Sequence, residues 1–472
     1  MVFRYESEET PMNPNIFREY DIRGLHETDL TPEVVENIGK AVGTLFVRRG
    51  EKTICVGCDV RLSSPRLVEN LTNGLLSTGL TVYKVGVVPT PALYFAIQHL
   101  DVGGGVQVTG SHNPIEYNGF KMTHRANSIF GDQIQELRKM IERRDFVTGN
   151  GKIVEREIID EYVADILSRV EITKPLKVVI DAGNGCASEI GPRVFRALGC
   201  EVIELYCEID GRFPNHLPDP TVLKYLKDLI QMVQEHGADF GIGYDGDADR
   251  IGIVDNEGNI VPGDRLLAVF ARDILTRQPG AKIIFDVKCS QALPEDIRAH
   301  GGDPIMWKTG HSLIKTKMKE THAPAAGEMS GHIFFSEKFR GYDDAVYASA
   351  RFADIVAHDG RSLSQIDATI PKYVSTPEIR VETTDDEKFL IVDELTQHFK
   401  NETDHEVIDV DGVRVLFGDG WGLVRASNTQ PVLVMRFEAK TPERVQQIGE
   451  AVLAKVREHP SVKLDDVSLA TF

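Results

Sequence analysis

The sequence predicts an α/β protein: three similar α/β domains in tandem, followed by a smaller α+β domain. Three observations predict it. A strand–loop–helix–glycine–strand pattern occurs three times, the first strand of each copy ends in an aspartate, and the chain beyond about Pro371 abandons the pattern.

In the first copy, the apolar run Thr53–Cys58 ends in Asp59, and after a helix-length interval Gly79 precedes a second strand ending near Val85. The second copy runs from Lys177 through Asp181 to a strand ending at Leu205, with Gly199 before it. The third runs from Lys282 through Asp286 to Trp307, with Gly301 before it. Each is a βαβ unit. The shared aspartate position favours true repetition over the unrelated βαβ units that any α/β protein contains. A helix over Glu157–Val170, Gly258 and Pro371 mark boundaries, giving domains 1–155, 156–259, 260–370 and 371–472. In the last domain, Trp421–Ser427 and Val432–Glu438 read as strands joined by an Asn-Thr-Gln-Pro turn. Thr441 then caps a helix with Pro442 at its first position, and Val445, Ile448, Val452 and Val456 line its apolar face. No low-complexity linker separates the domains, so close packing is expected.

Composition narrows the function classes. The 472 residues are 42% hydrophobic and 26% charged, ordinary for a globular protein. A net charge of −19 disfavours nucleic acid and anionic membranes as partners. No apolar run approaches the ~18 residues of a membrane helix, and the N-terminus lacks a signal-peptide core. Among the six cysteines, Cys55 and Cys58 form one CxxC without a second pair, so buried thiols are expected rather than zinc, and the cytoplasm as location. Oligomeric state is left open. Any phosphate site must be built locally from a few Arg and Lys residues.

Four segments carry chemistry. In Thr109-Gly-Ser111-His112-Asn-Pro114, the serine is expected on an exposed turn, where a phosphate would add nearly two negative charges. A Ser-His-Asp hydrolase is disfavoured, because the chain has no G-x-S-x-G elbow and His112 is not expected to reach its neighbour's hydroxyl. Lys121 lies close by as a candidate acid or base. In Asp245-Gly-Asp247-Ala-Asp249-Arg250, three carboxylates alternate with small residues on the loop after the strand Phe240–Tyr244 and can hold a hard divalent cation. An EF-hand fails, since Arg250 and Asn256 stand where Gly and Glu would be needed. In Gly327-Glu328-Met-Ser330-Gly-His332, an extended loop would point Glu328, Ser330 and His332 the same way, toward a hydroxyl-rich ligand. Arg425-Ala-Ser427-Asn428-Thr429 combines an arginine fork with hydroxyls and suits phosphate. Taken singly, each is matched by a plain reading as a polar turn or surface residue.

Together these segments resemble the α-D-phosphohexomutase superfamily, and most closely its phosphomannomutase/phosphoglucomutase branch. The resemblance spans the whole chain and includes the N-terminal Phe17-Arg-Glu-Tyr20-Asp-Ile-Arg23-Gly segment. It implies the predicted domains arranged about a central cleft, each α/β domain with a mixed sheet between helices. It implies a phosphotransferase that interconverts hexose 6-phosphate and hexose 1-phosphate of mannose or glucose. Phosphoserine 111 would donate its phosphoryl group, and a hexose 1,6-bisphosphate would serve as intermediate and activator. Mg²⁺ would be held by Asp245, Asp247, Asp249 and phosphorylated Ser111. Lys121 and His332 would be the proton-transfer candidates, with His112 and Arg250 lining the site. Tyr20, Arg23, Lys288 and His311 would contact the sugar phosphate beside Glu328, Ser330, His332, Arg425, Ser427, Asn428 and Thr429. Ala248 stands where the family more often has glycine, a methyl the loop should tolerate. The alternatives are a phosphoglucosamine mutase, a dehalogenase-type phosphatase with Asp245 as nucleophile, and a non-catalytic sugar-phosphate sensor.

Overall fold

The computed structural model describes residues 12–402, 404–428, 430–464 and 467–471. The chain forms two compact units. One holds the described residues up to Ile159 together with Asp210–Phe213; the other holds Asp160–Ile209 and the described residues from Pro214 onward.

The first unit contains one sheet, in the order Ile22–Leu25, Tyr117–His124, Gly104–Val108, Thr53–Cys58, Thr81–Val87, Lys152–Glu155, with the short Asn127–Ser128 beside Tyr117–His124. The second unit contains three sheets. The five-stranded sheet runs Ile260–Val261, Ile251–Asp255, Phe240–Tyr244, Lys177–Asp181, Glu201–Leu205. The four-stranded sheet runs Asp303–Trp307, Lys282–Asp286, Ala325–Gly327, Ile333–Phe335.

One four-strand core recurs in these three sheets. The strand that opens each sequence repeat (Thr53–Cys58, Lys177–Asp181, Lys282–Asp286) is central, and it pairs in parallel with the second strand of its repeat on one side. It pairs in parallel with the third on the other side. The third strand then turns back into an antiparallel fourth. The central strands are nearly continuous apolar runs because both of their faces are covered. The glycines that stop the helices, Gly79, Gly199 and Gly301, have φ of 95°, 85° and 79°, a left-handed turn that a β-carbon would oppose. The predicted helix 157–170 is the shorter Ile159–Leu167.

The C-terminal sheet is built on Val432–Ala439, which pairs with Gly420–Ala426 on one side and with Val374–Ser375 and Ile379–Glu382 on the other. Thr441 caps the helix Pro442–Val456 by accepting from Arg444 N, and Val445, Ile448, Val452 and Val456 are buried. The Asn-Thr-Gln-Pro turn contains Thr429, which lies outside the described residues. Five cysteines are buried and Cys207 is half-buried; burial pushes the Cys55 and Cys58 thiols up to about 12. Among the described residues, no helix is long and apolar enough to cross a membrane.

Within the second unit, Asp344 caps the helix Ala345–Asp359 by accepting from Tyr347 N, and it also accepts the Tyr162 hydroxyl at 2.9 Å. Burial raises its carboxyl to about 7, against an ordinary 3.8. Because the folded value is the higher one, the associated stability is fully present below about pH 4 and is lost as pH rises through about 7. Asp344→Asn keeps both hydrogen bonds and removes the titration. Thermal melts across this window should show wild type losing stability on the order of a few kcal/mol relative to the variant. Parallel pH profiles for the two proteins would mean that Asp344 is ionised throughout.

Candidate active site

In the first unit, the strand Gly104–Val108 delivers the loop that carries Ser111. Asp59, just past the central strand, accepts from Thr109 Oγ1 and Gly110 N, both at 2.9 Å, and from Ser64 Oγ at 2.6 Å. Thr109 Oγ1 in turn accepts from Ser111 N at 2.8 Å. Arg61 lies beneath the loop and donates to four of its carbonyls. Two expectations fail here. Ser111 is buried, 2% exposed, rather than sitting on an exposed turn, because the loop folds down onto Asp59 and Arg61. His112 does reach its neighbour: Nδ1 lies 3.0 Å from Ser111 Oγ, because Ser111 has a left-handed φ of 48° that brings the two side chains together. Lys121 is buried on Tyr117–His124, opposite Gln107. Arg23, on the neighbouring strand, is opposite Gly119 and pairs with Asp21; Tyr20 is half-buried just before that strand.

In the second unit, Asp245, Asp247 and Asp249 follow the strand Phe240–Tyr244, all fully buried, with one oxygen of each within 4.8 Å of the others. Asp245 Oδ1 accepts from the backbone N–H groups of Asp249 and Arg250, which curls the loop onto itself. Three carboxylates this close in a low-dielectric site repel one another unless a cation sits among them. Their all-oxygen donors suit a hard ion such as Mg²⁺. Ala248 has φ of 57°, so the position favours glycine and the methyl there carries some backbone strain.

The segment Glu328–His332 is not extended. It is a tight turn between Ala325–Gly327 and Ile333–Phe335, closed by Glu328 N to His332 O at 2.9 Å and Gly331 N to Glu328 O at 3.0 Å. Gly331, at φ 89°, is required: a β-carbon there would stand 2.3 Å from the Ile251 carbonyl. That approach lets Ile251 N donate to Gly331 O and ties the turn to the strand after the aspartates. Arg250 Nε consequently donates to His332 Nε2 at 2.9 Å, while His332 Nδ1 lies 3.0 Å from Asp343 and 3.6 Å from Asp249. Accepting from Arg250 requires the ring proton on Nδ1, toward Asp343. Burial opposes ionisation of Asp343, but Lys315 at 3.2 Å and His332 hold its carboxyl well below the usual range. His311 stacks on His332 with ring centroids 5.8 Å apart, and Gly310 N donates to Glu328. Burial raises the Glu328 carboxyl. Ser330 is half-buried.

Lys288 donates to Glu378 at 3.1 Å. Burial favours neutral forms for both, yet Glu378 and Asp286 keep Lys288 raised, and Lys288 with Arg380 holds Glu378 at about 2. In the C-terminal domain, Arg425 Nε donates to Asp411 at 3.0 Å, and Asp411 also accepts from Thr309 N. Ser427 is buried and accepts from Gln430 N, and Asn428 is half-buried. Asp59, Arg61, Asp343, Glu378 and Asp411 were missed from sequence; only Asp59 carried a signal, the aspartate shared by the repeats.

Four family domains match in order: phosphoglucomutase/phosphomannomutase alpha/beta/alpha domain I at residues 14–148, domain II at 160–258, domain III at 262–373, and the C-terminal domain at 378–455. A phosphomannomutase/phosphoglucomutase from Pseudomonas aeruginosa is 50% identical over 434 residues, 92% of this chain and 94% of that protein. A phosphoglucomutase from Neisseria gonorrhoeae is 43% identical over 449 residues, 94% of this chain and 97% of that one. The crystal structure of a phosphoglucomutase/phosphomannomutase family protein from Burkholderia thailandensis superposes with a TM-score of 0.90 at 43% identity, covering 96% of this chain and 99% of that one.

A methyl at Gly110 would stand 2.4 Å from Arg61 Nε and 2.5 Å from its Cζ. Arg61 cannot swing aside without releasing its carbonyls. Gly110→Ala should therefore cost about 1–3 kcal/mol, read as a lowered Tm. An unchanged Tm would show that the loop rearranges freely.

Proposed function

This chain belongs to the phosphoglucomutase/phosphomannomutase family of the α-D-phosphohexomutase superfamily, and from that premise we propose that it is a phosphotransferase interconverting the 6-phosphate and 1-phosphate of mannose and glucose through phosphoserine 111. One observation carries this reading. The Ser111 loop, the aspartate loop and the Glu328–His332 turn each follow the third strand of a repeat, so three kinds of chemistry occupy one structural position.

The sugar hydroxyl attacks the phosphoserine phosphorus. The bond from phosphorus to Ser111 Oγ breaks, a bond to the sugar oxygen forms, and the hydroxyl proton passes by way of a protein base to Ser111 Oγ. The bisphosphosugar then returns its other phosphoryl group to Ser111 by the reverse steps. Lys121 and His332 are the proton carriers in this reading. His332 keeps an unprotonated Nε2, which accepts from Arg250 and can take a proton only when Arg250 turns away, toward phosphate in this reading. Asp245, Asp247 and Asp249 would hold Mg²⁺, which neutralises phosphate charge when bound. Glu328 and Ser330 bind hydroxyls that the two hexoses share. Lys288, His311, Tyr20 and Arg23 contact the substrate, and Arg425, Ser427 and Asn428 take the phosphate that is not transferred, with Thr429 beyond the described residues. Arg425 gives bidentate geometry for that role.

Intact-mass analysis of active protein should locate one phosphate on Ser111, and Ser111→Ala should lose nearly all turnover. Mannose and glucose phosphates should turn over with comparable kcat/KM, and glucosamine phosphate much less well. Dominant turnover of glucosamine 6-phosphate would move the chain to the glucosamine branch, and release of inorganic phosphate would replace the mutase reading with a phosphatase. Chelation with EDTA should abolish turnover at unchanged fold, and Mg²⁺ should restore it; full activity after exhaustive chelation would count against the aspartates as the metal site.

A further inference from the structure

We propose that Arg61 is a positioning residue for phosphoryl transfer: without touching substrate, it fixes the turn that presents Ser111. The proposal rests on the reading of Ser111 as the phosphoryl carrier. Arg61 Nη1 donates to the carbonyls of Pro114 at 2.7 Å and Tyr117 at 3.0 Å. Nη2 donates to those of Ser111 at 2.9 Å and Asn113 at 2.5 Å. Nε lies 3.3 Å from Asp59 Oδ2, the carboxylate that already accepts from Thr109 and Gly110. One planar cation therefore gathers the carbonyls of residues 111 to 117, while its partner carboxylate holds the N–H side of the same loop.

Three features show that the guanidinium is built in and not merely accommodated. It is buried, 2% exposed. The Phe213 ring covers it at 5.3 Å, carried by the segment Asp210–Phe213, which seats against the 59–61 loop so closely that a β-carbon on Gly211 would stand 2.2 Å from the Val60 carbonyl. Gly110 leaves room for it on the other side. The turn needs such a restraint. A non-glycine residue at φ 48° persists only where its surroundings over-determine it. Removing the fork would leave Ser111 free to relax toward ordinary backbone geometry, carrying Oγ away from the position at which it exchanges phosphate. Lysine cannot substitute, because its three donors radiate from one atom whereas the four carbonyls are spread over a planar fork.

The test uses full-length Arg61→Lys, with Tm, kcat and KM for glucose 1-phosphate, and Ser111 phosphate occupancy by intact mass after incubation with glucose 1,6-bisphosphate. The variant should remain folded, lose at least tenfold in kcat, keep KM within about twofold of wild type, and load phosphate on Ser111 more slowly. The split arises because Lys288 and Arg425, which take the sugar phosphate, are untouched. A folded variant with wild-type kcat, or with KM raised at unchanged kcat, overturns the proposal. Should Arg61→Lys fail to fold, Phe213→Leu carries the same test: the cover stays apolar but loses its ring, kcat should fall several-fold at unchanged KM, and an unchanged kcat overturns the proposal. Wild-type protein that never carries phosphate on Ser111 would instead sink the phosphoserine reading and this proposal with it, an outcome distinct from wild type and variant loading alike.

Discussion

Asp59 stands just past the central strand of the first repeat, and two of the groups it accepts from belong to the loop that carries Ser111. The same device recurs in the third repeat. Asp286 ends its central strand, accepts from Met329 N in the turn between Glu328 and His332, and accepts from the Thr309 hydroxyl just before His311. In the second repeat, Asp181 instead accepts from Gly183 N and contacts His216, and the aspartate loop is reached one step later through Cys186 N to Gly246 O. A buried carboxylate at a strand end can accept several N–H and O–H groups at once, and each such charged hydrogen bond is stronger than a neutral one. The loops that follow the third strands are thus fixed from the neighbouring strand and not only by their own backbone.

The acidic composition has a counterpart in how the site cations are held. Lys288 rests on Glu378, Arg425 on Asp411, Arg250 on His332 and among the loop aspartates, and Arg23 on Asp21. In a strongly negative protein these partners hold the positive groups in fixed orientations. In the proposed reading, phosphate takes over one side of a group whose orientation is already set, so little side-chain ordering remains to oppose binding.

What was legible in the sequence was local. The aspartate alternation, the helix-stopping glycines and the helix after Thr441 each declare themselves within a few residues, and each folds accordingly. Asp59 was visible as a repeated position, yet its role depends on Thr109, fifty residues away in sequence. Arg61 carried no pattern at all, because apart from Asp59 the groups it holds are main-chain carbonyls that any residue supplies. The Glu328–His332 segment was misread for a related reason. Alternation of side chains is a rule for extended backbone, and Gly331 breaks it by allowing an approach to Ile251 that belongs to another sheet. Burial of Ser111 was likewise invisible, since Asn-Pro marks a turn without saying what lies beneath it.

The same kind of long-range contact joins the C-terminal domain to the Lys288 loop of the third repeat. Arg414, on Val413–Leu416, donates to the carbonyls of Val287 and Cys289, and Arg436, on Val432–Ala439, donates to that of Lys288. Three consecutive carbonyls are thereby held by two buried arginines from one sheet. Burial pulls Arg414 down to about 10, and the Trp421 face 3.7 Å away, itself bonded to Glu438, lies against the guanidinium. Arg436 also contacts the Met329 sulfur, so the Glu328–His332 turn and the Lys288 loop share one anchor. Breaking such a contact leaves buried carbonyls unpaired, at a cost of about 1–3 kcal/mol each. The loop that bears Lys288 is therefore hydrogen-bonded directly to the sheet that bears Arg425, which joins the two cations proposed for the sugar phosphate through buried contacts.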